Sequence, residues 1–472
     1  MRTRTIFTLA AALFATALSL PTSAQTPTAT APKETPPAPG TPRNFTLPAI
    51  RQFSLPNGLQ VRFVPYGEVP KATVRLVTHT GNADEGPNEV WLADLTSEMM
   101  QQGTTTRSAE DIAREAATMG GALDVTVGMN TTVIGTDVFS ESAARAVALI
   151  ADVVRNPRLP DSELARLKGD LARNLSIQHA TPQALASEKF AAVLFPNHPY
   201  GRSYPTQSMI ESYTLDQVRG FHAKNFGAAR SFVYVVGRFD ANAVEAAIRQ
   251  SFGDWAAGSP RTPQNVSPVS KRAVYFIDRP GAVQSTLYIG LPASIDPTRS
   301  DYVSTVVMNA LLGGSFGSRI TSNIREQKGY TYSPTSTLST RLGAASWAEI
   351  ADVTTNVTGP AIKEIIGEID RLRSEPPTAK ELQGIQNYLA GTFVLRNSSR
   401  PGIASQLATM DLYGAGADYL STYVQRIYAT TPAEVQRLAQ TYIDPSKLAI
   451  VVVGDRKVIY DQLKTYGEVI EQ

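Results

Sequence analysis

Asp94, Ser97 and Glu98 stand at i, i+3 and i+4 in Trp91-Leu-Ala-Asp94-Leu-Thr-Ser97-Glu98-Met-Met-Gln-Gln-Gly103-Thr104, so on a helix they share one face. Two carboxylates four residues apart can hold a hard cation weakly through oxygen. A solvated helix face is the weightier reading, because carboxylates are mostly exposed. A metal here would also lack its general base, since the Ser97 hydroxyl has no useful basicity near neutral pH. The four histidines, His79, His179, His198 and His222, are far apart, with no pair at three- to five-residue spacing. They make no local zinc site, and each reads as structural. Gly313-Gly-Ser315-Phe-Gly317 matches the G-x-S-x-G pattern of nucleophilic serines. However, Tyr302 to Leu312 before it reads as a helix where that elbow needs a strand, and no histidine follows Ser315. No Lys-Ser/Thr follows these glycines either, which excludes a nucleotide-binding loop.

The elements that must position these residues follow from periodicity. Leu59-Gln-Val61-Arg-Phe63-Val and Ala72-Thr-Val74-Arg-Leu76-Val alternate with the period of half-buried strands. Asn88 is expected to cap a helix carrying Trp91, Leu92, Leu95 and Met99 on one face, and Ser108, followed by Glu110 and Asp111, to cap another. Ser322-Asn-Ile-Arg325-Glu326-Gln-Lys328-Gly329-Tyr-Thr-Tyr332-Ser333 reads, on local signals, as a surface helix end closed by Gly329 and followed by a strand. The chain also repeats itself. Leu215 to Arg238 is similar to Pro432 to Asp455 at an offset of 217 residues, and Pro160-Asp-Ser-Glu163-Leu164 is echoed by Pro377-Thr-Ala-Lys-Glu381-Leu382. A period of this length means two homologous halves, not a solenoid of short repeats.

Composition sets the compartment. Met1-Arg-Thr-Arg4, the apolar run Ile6 to Leu20 and Thr22-Ser23-Ala24 have the three regions of a secretory signal, with cleavage expected near Ala24. Residues 25–43, dense in Pro, Thr and Ala, are expected to form a disordered linker. Two domains follow, at 44–257 and 258–472, with Gly258 to Pro268 as the connection. The chain has no cysteine, which excludes disulfides, thiol chemistry and lipid attachment through a Cys. Arg2 and Arg4 account for the formal charge of +2. The remainder is balanced, giving no electrostatic case for nucleic acid or an anionic membrane. No later stretch is long and apolar enough for a membrane span. These readings place the protein in the periplasm or outside the cell.

The residues singled out above also carry a resemblance to the pitrilysin/insulinase zinc peptidases, extending over about residues 48 to 465. In that family an inverted His-x-x-Glu-His motif follows an Asp-Glu-containing loop and precedes a Gly-Thr. Here the matching positions hold Asp94, Ser97 and Glu98, and the position of the third zinc ligand falls near Arg173 and Asn174. The resemblance therefore implies no metal or other cofactor in this chain. Phe195-Pro-Asn-His198-Pro-Tyr-Gly-Arg202, the glycine-rich Leu312-Gly313-Gly314-Ser315-Phe316-Gly317-Ser-Arg319 and the Ser322–Ser333 segment also match. By this resemblance Arg325 and Tyr332 are a pair that reaches across to a zinc site. Arg325 would engage a peptide carbonyl or carboxylate with its donor fork, and Tyr332 would donate to the oxyanion. Gly313 to Gly317 would be a loop facing substrate. The implied fold is α+β, with two homologous insulinase-like, mitochondrial-processing-peptidase-like domains in tandem, clam-shaped. The implied function is that of a non-catalytic subunit, completing a zinc-bearing homologue in a heterodimer or larger complex that cleaves peptides. A peptide-binding or scaffolding protein of the cell envelope, with no part in cleavage, is the alternative.

Overall fold

The computed structural model describes Thr46, residues 49–262, 265–416 and 418–471. The signal-like segment and the whole Pro-rich segment at 25–43 lie outside the described residues. The N-terminal half supplies β1 (Arg51–Ser54), β2 (Gln60–Pro65), β3 (Lys71–Thr78), β4 (Asp124–Val127), β5 (Thr132–Phe139) and β6 (Ser231–Gly237). They form one sheet in the order β1-β2-β6-β3-β5-β4. The C-terminal half supplies β7 (Ala273–Asp278), β8 (Gln284–Ala293), β9 (Thr335–Arg341), β10 (Ala344–Thr354), β11 (Ala449–Gly454) and β12 (Val469–Glu471), in the order β12-β7-β11-β8-β10-β9. Strand for strand the sheets correspond, except at one edge. There β1 pairs antiparallel with β2, whereas β12 arrives from the far end of the chain and pairs parallel with β7.

The central strands β6 and β11 are apolar along nearly their whole length because both of their faces are covered. In β6, Val233 and Val235 join the N-terminal core, which includes Leu95, Met99, Val147 and Ile150 of the Leu92–Met100 and Ala143–Arg155 helices. Tyr234 and Val236 point the other way, into a cluster with Ile403, Ala404 and Leu407 of the Arg400–Tyr413 helix, which belongs to the C-terminal half. The arrangement is reciprocal. In β11, Ile450 and Val452 enter the C-terminal core, while Ala449, Val451 and Val453 pack with Ala186, Phe190 and Leu194 of the Pro182–Leu194 helix from the N-terminal half. The two exchanged helices are equivalent elements of the repeat. Each half thus lends the other the helix that covers its sheet.

Polar contacts fix the exchange. Asp411 accepts a 3.0 Å hydrogen bond from Arg62 on β2 and a 2.7 Å bond from the Tyr234 hydroxyl on β6. On the opposite side Tyr200 donates to the Leu342 carbonyl at 2.9 Å, and Arg341 donates to the Tyr200 carbonyl at 3.1 Å. No helix among the described residues is long and apolar enough to cross a membrane.

Candidate functional site

The Leu92–Met100 helix starts differently from the sequence expectation. Its first residue is preceded by Trp91 in the left-handed region (φ 69°), and no Asn88 side chain caps it. The cap is the Glu85 carboxyl, which accepts from the N–H groups of Ala93 at 2.8 Å and Trp91 at 3.2 Å. A carboxylate at a helix N-terminus satisfies donors that the helix leaves open and faces the positive end of its dipole. Burial nevertheless pushes the Glu85 carboxyl up to about 8, with the nearby Asp94 charge adding to the effect. Asn82 bridges the two acids, donating to Asp94 at 2.6 Å and to Glu85 at 3.1 Å.

The positions matching a zinc motif are therefore engaged or unsuited to the metal. Asp94 is held by the Asn82 amide. Ser97 is buried, with its hydroxyl unpartnered, and Glu98 is exposed on the helix surface. Burial and then the Asp94 charge raise the Glu98 carboxyl. Asn174 is exposed on the Asp161–Ala180 helix, and its neighbour Arg173 pairs with Asp170. Zinc wants three or four convergent N, S or O donors. This set offers no imidazole, and among the described residues no group of three His, Cys, Asp or Glu side chains can hold a metal ion. The residues do not fit zinc.

The histidines sit apart in local roles. His79 stacks on Phe232, His179 lies 3.7 Å from Glu188, His198 Nδ1 accepts from the Tyr200 N–H at 3.2 Å, and His222 Nε2 lies 2.8 Å from the Val154 carbonyl.

At the second candidate site the structure brings the residues together. The Tyr302–Asn309 helix widens into a π-helical turn at Ala310–Gly314, and a second π-helical turn spans Thr321–Gln327, so wide turns flank the glycine-rich loop on both sides. Such turns are rare and occur frequently at functional sites. Asn309 pins the entry. Its side-chain oxygen accepts from Trp347 Nε1 and Ser336 Oγ, both at 2.8 Å. Arg319 pins the exit through a two-pronged contact with Glu381 at 2.6 and 3.1 Å. Ser315 donates its hydroxyl to the Ala310 carbonyl at 2.8 Å, which ties it into the turn and leaves it unlike an exposed nucleophile.

Gly313 passes directly over a buried acid. A Cβ there would stand 2.4 Å from Glu349 Oε2 and 2.7 Å from Ser336 Oγ. Glu349 is fully buried, neither of its oxygens has a hydrogen-bond partner, and burial raises its carboxyl well above the usual range. The glycine requirement is thus packing beneath the loop.

Gly329, at φ +65°, closes the second wide turn, and its N–H returns to the Arg325 carbonyl at 3.1 Å. The chain then runs through Tyr330 to Tyr332 before β9 begins. Arg325 Cζ lies 4.3 Å from the Phe316 ring centroid and 5.0 Å from that of Tyr332. The two rings are 66% and 79% exposed, so one cation and two aromatic faces form an open surface cluster. Among the described residues Arg325 forms an ion pair only with its neighbour Glu326, at 3.3 Å.

A chain that duplicates one α/β unit, keeps an Arg–aromatic cluster on the second copy and has no zinc-fitting set on the first belongs to a recognisable class of peptidase relatives. Residues 66–206 match the profile of the insulinase family, peptidase family M16, and residues 212–389 match the peptidase M16 inactive domain. The chain belongs to the insulinase family. It is 24% identical to an uncharacterized zinc protease of Mycobacterium leprae over 88% of this chain and 94% of that one. The crystal structure of a peptidase M16 inactive domain from Pseudomonas fluorescens superposes with a TM-score of 0.80 at 25% identity, over 86% of this chain and 98% of that one. A protease from Helicobacter pylori shares the fold, with a TM-score of 0.81 at 18% identity, over 87% of this chain and all of that one.

Proposed function

We propose that this protein is the non-catalytic subunit of an exported zinc peptidase, offering Arg325 and Tyr332 to a peptide held by a zinc-bearing homologue. The observation that carries this reading is the Phe316–Arg325–Tyr332 cluster. Its rings are exposed, while the chain's own Asp94–Ser97–Glu98 face cannot supply the metal that such a cluster would serve. Arg325 suits a peptide carbonyl or carboxylate, because its planar fork donates two hydrogen bonds at once. The Tyr332 hydroxyl suits the oxyanion formed as water attacks the carbonyl, because a fixed donor there stabilises the transition state more than the ground state. Gly313 to Gly317 bring the backbone close to the same place. The zinc protease relatives and the inactive-domain match support a division of labour between two members of one family.

The signal-like N-terminus supports a periplasmic setting for the complex, with mature protein beginning near Gln25. Sequencing the N-terminus of protein recovered from the native host checks this part. An intact Met1 on cytoplasmic material overturns it.

The decisive experiment is reconstitution with an exported homologue that retains His-x-x-Glu-His, followed by peptide cleavage assays of each protein alone and of the mixture. Cleavage that needs both chains supports the proposal. A stable complex whose partner cleaves equally well alone overturns it in favour of scaffolding.

A further inference from the structure

A cavity of about 420 Å³ lies in the C-terminal half, within the usual size of ligand pockets, about 300–1,000 Å³. The internal repeat gives it a counterpart. Its walls include the Tyr302–Asn309 helix, edge strand β9 and the Ala379–Arg396 helix. These are the second copies of the Leu92–Met100 helix, β4 and the Asp161–Ala180 helix, the elements that hold or flank Asp94, Ser97, Glu98 and Asn174 in the first half. Val306, Asn309 and Ala310 line it with the same i, i+3, i+4 spacing. The cavity thus occupies, in the second half, the place that the positions matching a zinc motif occupy in the first. Gln406 and Met410 of the Arg400–Tyr413 helix add a further wall.

The lining is aromatic with one charge. Phe393 stacks on Tyr423 with ring centroids 4.4 Å apart, Tyr423 meets Tyr419 at 5.6 Å, and Tyr419 meets Tyr302 at 6.5 Å. Four rings from three helices form a continuous wall, and Tyr302 and Tyr423 keep part of their surface open. Tyr388, 49% exposed, extends the wall outward. Because aromatic rings prefer offset and edge-on neighbours, such a wall offers another ring directed contacts as well as apolar area. Arg396 is the charged side chain of the lining. It is exposed and forms no ion pair among the described residues. Burial raises the Tyr419 and Tyr423 hydroxyls, which keeps them neutral. The acids beside the cavity in the chain are engaged elsewhere: Asp296 accepts from the Thr298 N–H at 2.8 Å, and Asp418 pairs with Arg426 at 3.2 Å.

We propose that this cavity binds the C-terminal residue of a peptide, its aromatic side chain against the Tyr302–Tyr423 wall and its carboxylate on Arg396. One cation without a lining acid selects a ligand with a single negative charge, and a guanidinium meets a carboxylate with two parallel hydrogen bonds. A ring and a carboxylate joined within one residue are what a chain ending in Phe, Tyr or Trp presents. An internal aromatic residue would fill the wall but leave Arg396 unmatched. Gly314 lines the cavity, and Phe316, two residues on, lies against Arg325, so cavity and cluster share one loop. The inference deepens the reading of this chain as a peptide-engaging subunit, and rests on it, by adding recognition of a peptide end at a second place.

Calorimetric titration of the full chain alone with acetyl-Ala-Ala-Ala-Phe bearing a free carboxylate tests it. The same peptide as its C-terminal amide, the peptide ending in Ala, and N-acetyl-phenylalanine are titrated in parallel, the last to separate a peptide end from a free aromatic acid. The expected result is saturable one-to-one binding, about tenfold weaker for the amide and for the Ala ending. Arg396→Gln should abolish the preference for acid over amide, Tyr388→Ala should weaken the Phe peptide about threefold or more, and Arg325→Ala should bind like the wild type. Tyr388 and Arg396 are exposed, so both variants should fold, and circular dichroism checks that they do. Equal affinity for acid and amide, an undiminished acid preference in folded Arg396→Gln, N-acetyl-phenylalanine binding as tightly as the peptide, or no saturable binding at millimolar peptide each overturns the proposal. Binding lost in Arg325→Ala but kept in Arg396→Gln would place the carboxylate at the other cluster and overturn it as well. No zinc-bearing partner enters this titration, so its failure leaves the cleavage assay of the reconstituted complex to decide the Arg325–Tyr332 reading separately.

Discussion

Arg325 Cζ stands 5.0 Å from the ring of Tyr332, seven residues further along the chain, because the wide turn closed by Gly329 brings the backbone back past the guanidinium. Phe316 adds a second ring at 4.3 Å. Contacts of this kind contribute about 0.5–1 kcal/mol each at exposed sites, enough to bias the Arg325 rotamer without fixing it. In the reconstituted complex Arg325→Ala is expected mainly to raise KM. Tyr332→Phe is expected mainly to lower kcat, by roughly 10²–10³, the usual loss for one oxyanion donor. Phe316→Ala should give a milder rise in KM. Wild-type rates from the two donor mutants, with assembly intact by gel filtration, would remove the catalytic role.

The glycine-rich loop gives an internal comparison. Gly313→Ala drives a methyl group against the buried Glu349 carboxyl and should cost roughly 1–3 kcal/mol in denaturant unfolding. A Cβ at Gly317 meets nothing within 4 Å, so Gly317→Ala should change stability by less than about 0.5 kcal/mol. Equal effects at the two sites would mean that the loop is not packed on Glu349.

Stability should decline as the solution is made alkaline. Glu85 has its folded pKa raised from 4.5 to about 8, so between these values the folded protein keeps a proton that the unfolded chain has lost. The resulting stabilisation is complete below pH 4.5 and disappears as pH rises through about 8, amounting to at most ~4–5 kcal/mol. Glu349, also raised, acts in the same direction. Glu85→Gln should flatten the fall in Tm between pH 5 and pH 9. An unchanged pH profile in that variant would assign the dependence to other groups.

Protein purified without added metal is expected to hold no stoichiometric zinc, and Asp94→Ala should leave its metal content unaltered, as read by elemental analysis. Restoring Asp94→His, Ser97→Glu and Glu98→His together should not produce efficient hydrolysis. Position 174 still lacks a carboxylate, and a working metal site also needs neighbours that orient each ligand, which the three substitutions do not supply. One tightly bound zinc per wild-type chain, lost in Asp94→Ala, would contradict this.

Asp411 joins the halves through Arg62 and Tyr234, whose side chains are largely shielded. Removing the carboxylate in Asp411→Ala strands a cation and a hydroxyl together and should cost about 3–5 kcal/mol. Tyr234→Phe removes one bond only and should cost about 1 kcal/mol. Equal losses in chemical denaturation would show that Arg62 finds another partner.

The sequence by itself determined whatever depends on neighbours a few residues away or on its own duplication. Alternation in Leu59–Val64 and Ala72–Val77 gave β2 and β3, Ser108 and Asp111 form the capping box of the Ala109–Thr118 helix, and Gly329 closes its turn. The repeat of Leu215–Arg238 at Pro432–Asp455 foretold that β6 and β11 would occupy equivalent places in two sheets. The family resemblance, carried by spaced motifs, is likewise a property of the linear chain. Tertiary structure decided what depends on partners far apart in sequence. The Asn88 cap gave way to Glu85 because helix entry was set by a buried loop. The wide turns around Gly313–Gly317 and the buried Glu349 beneath them have no local signature. The apolar runs in β6 and β11 show that both faces are covered, but not by what. Which helix covers each face is settled only when the halves pack, since Asp411 meets Arg62 across 349 residues of chain. A cavity at the seam has the same origin: Asp84, His198, Arg261 and Leu342 are far apart in the chain, and only the docking of two halves brings them around one space.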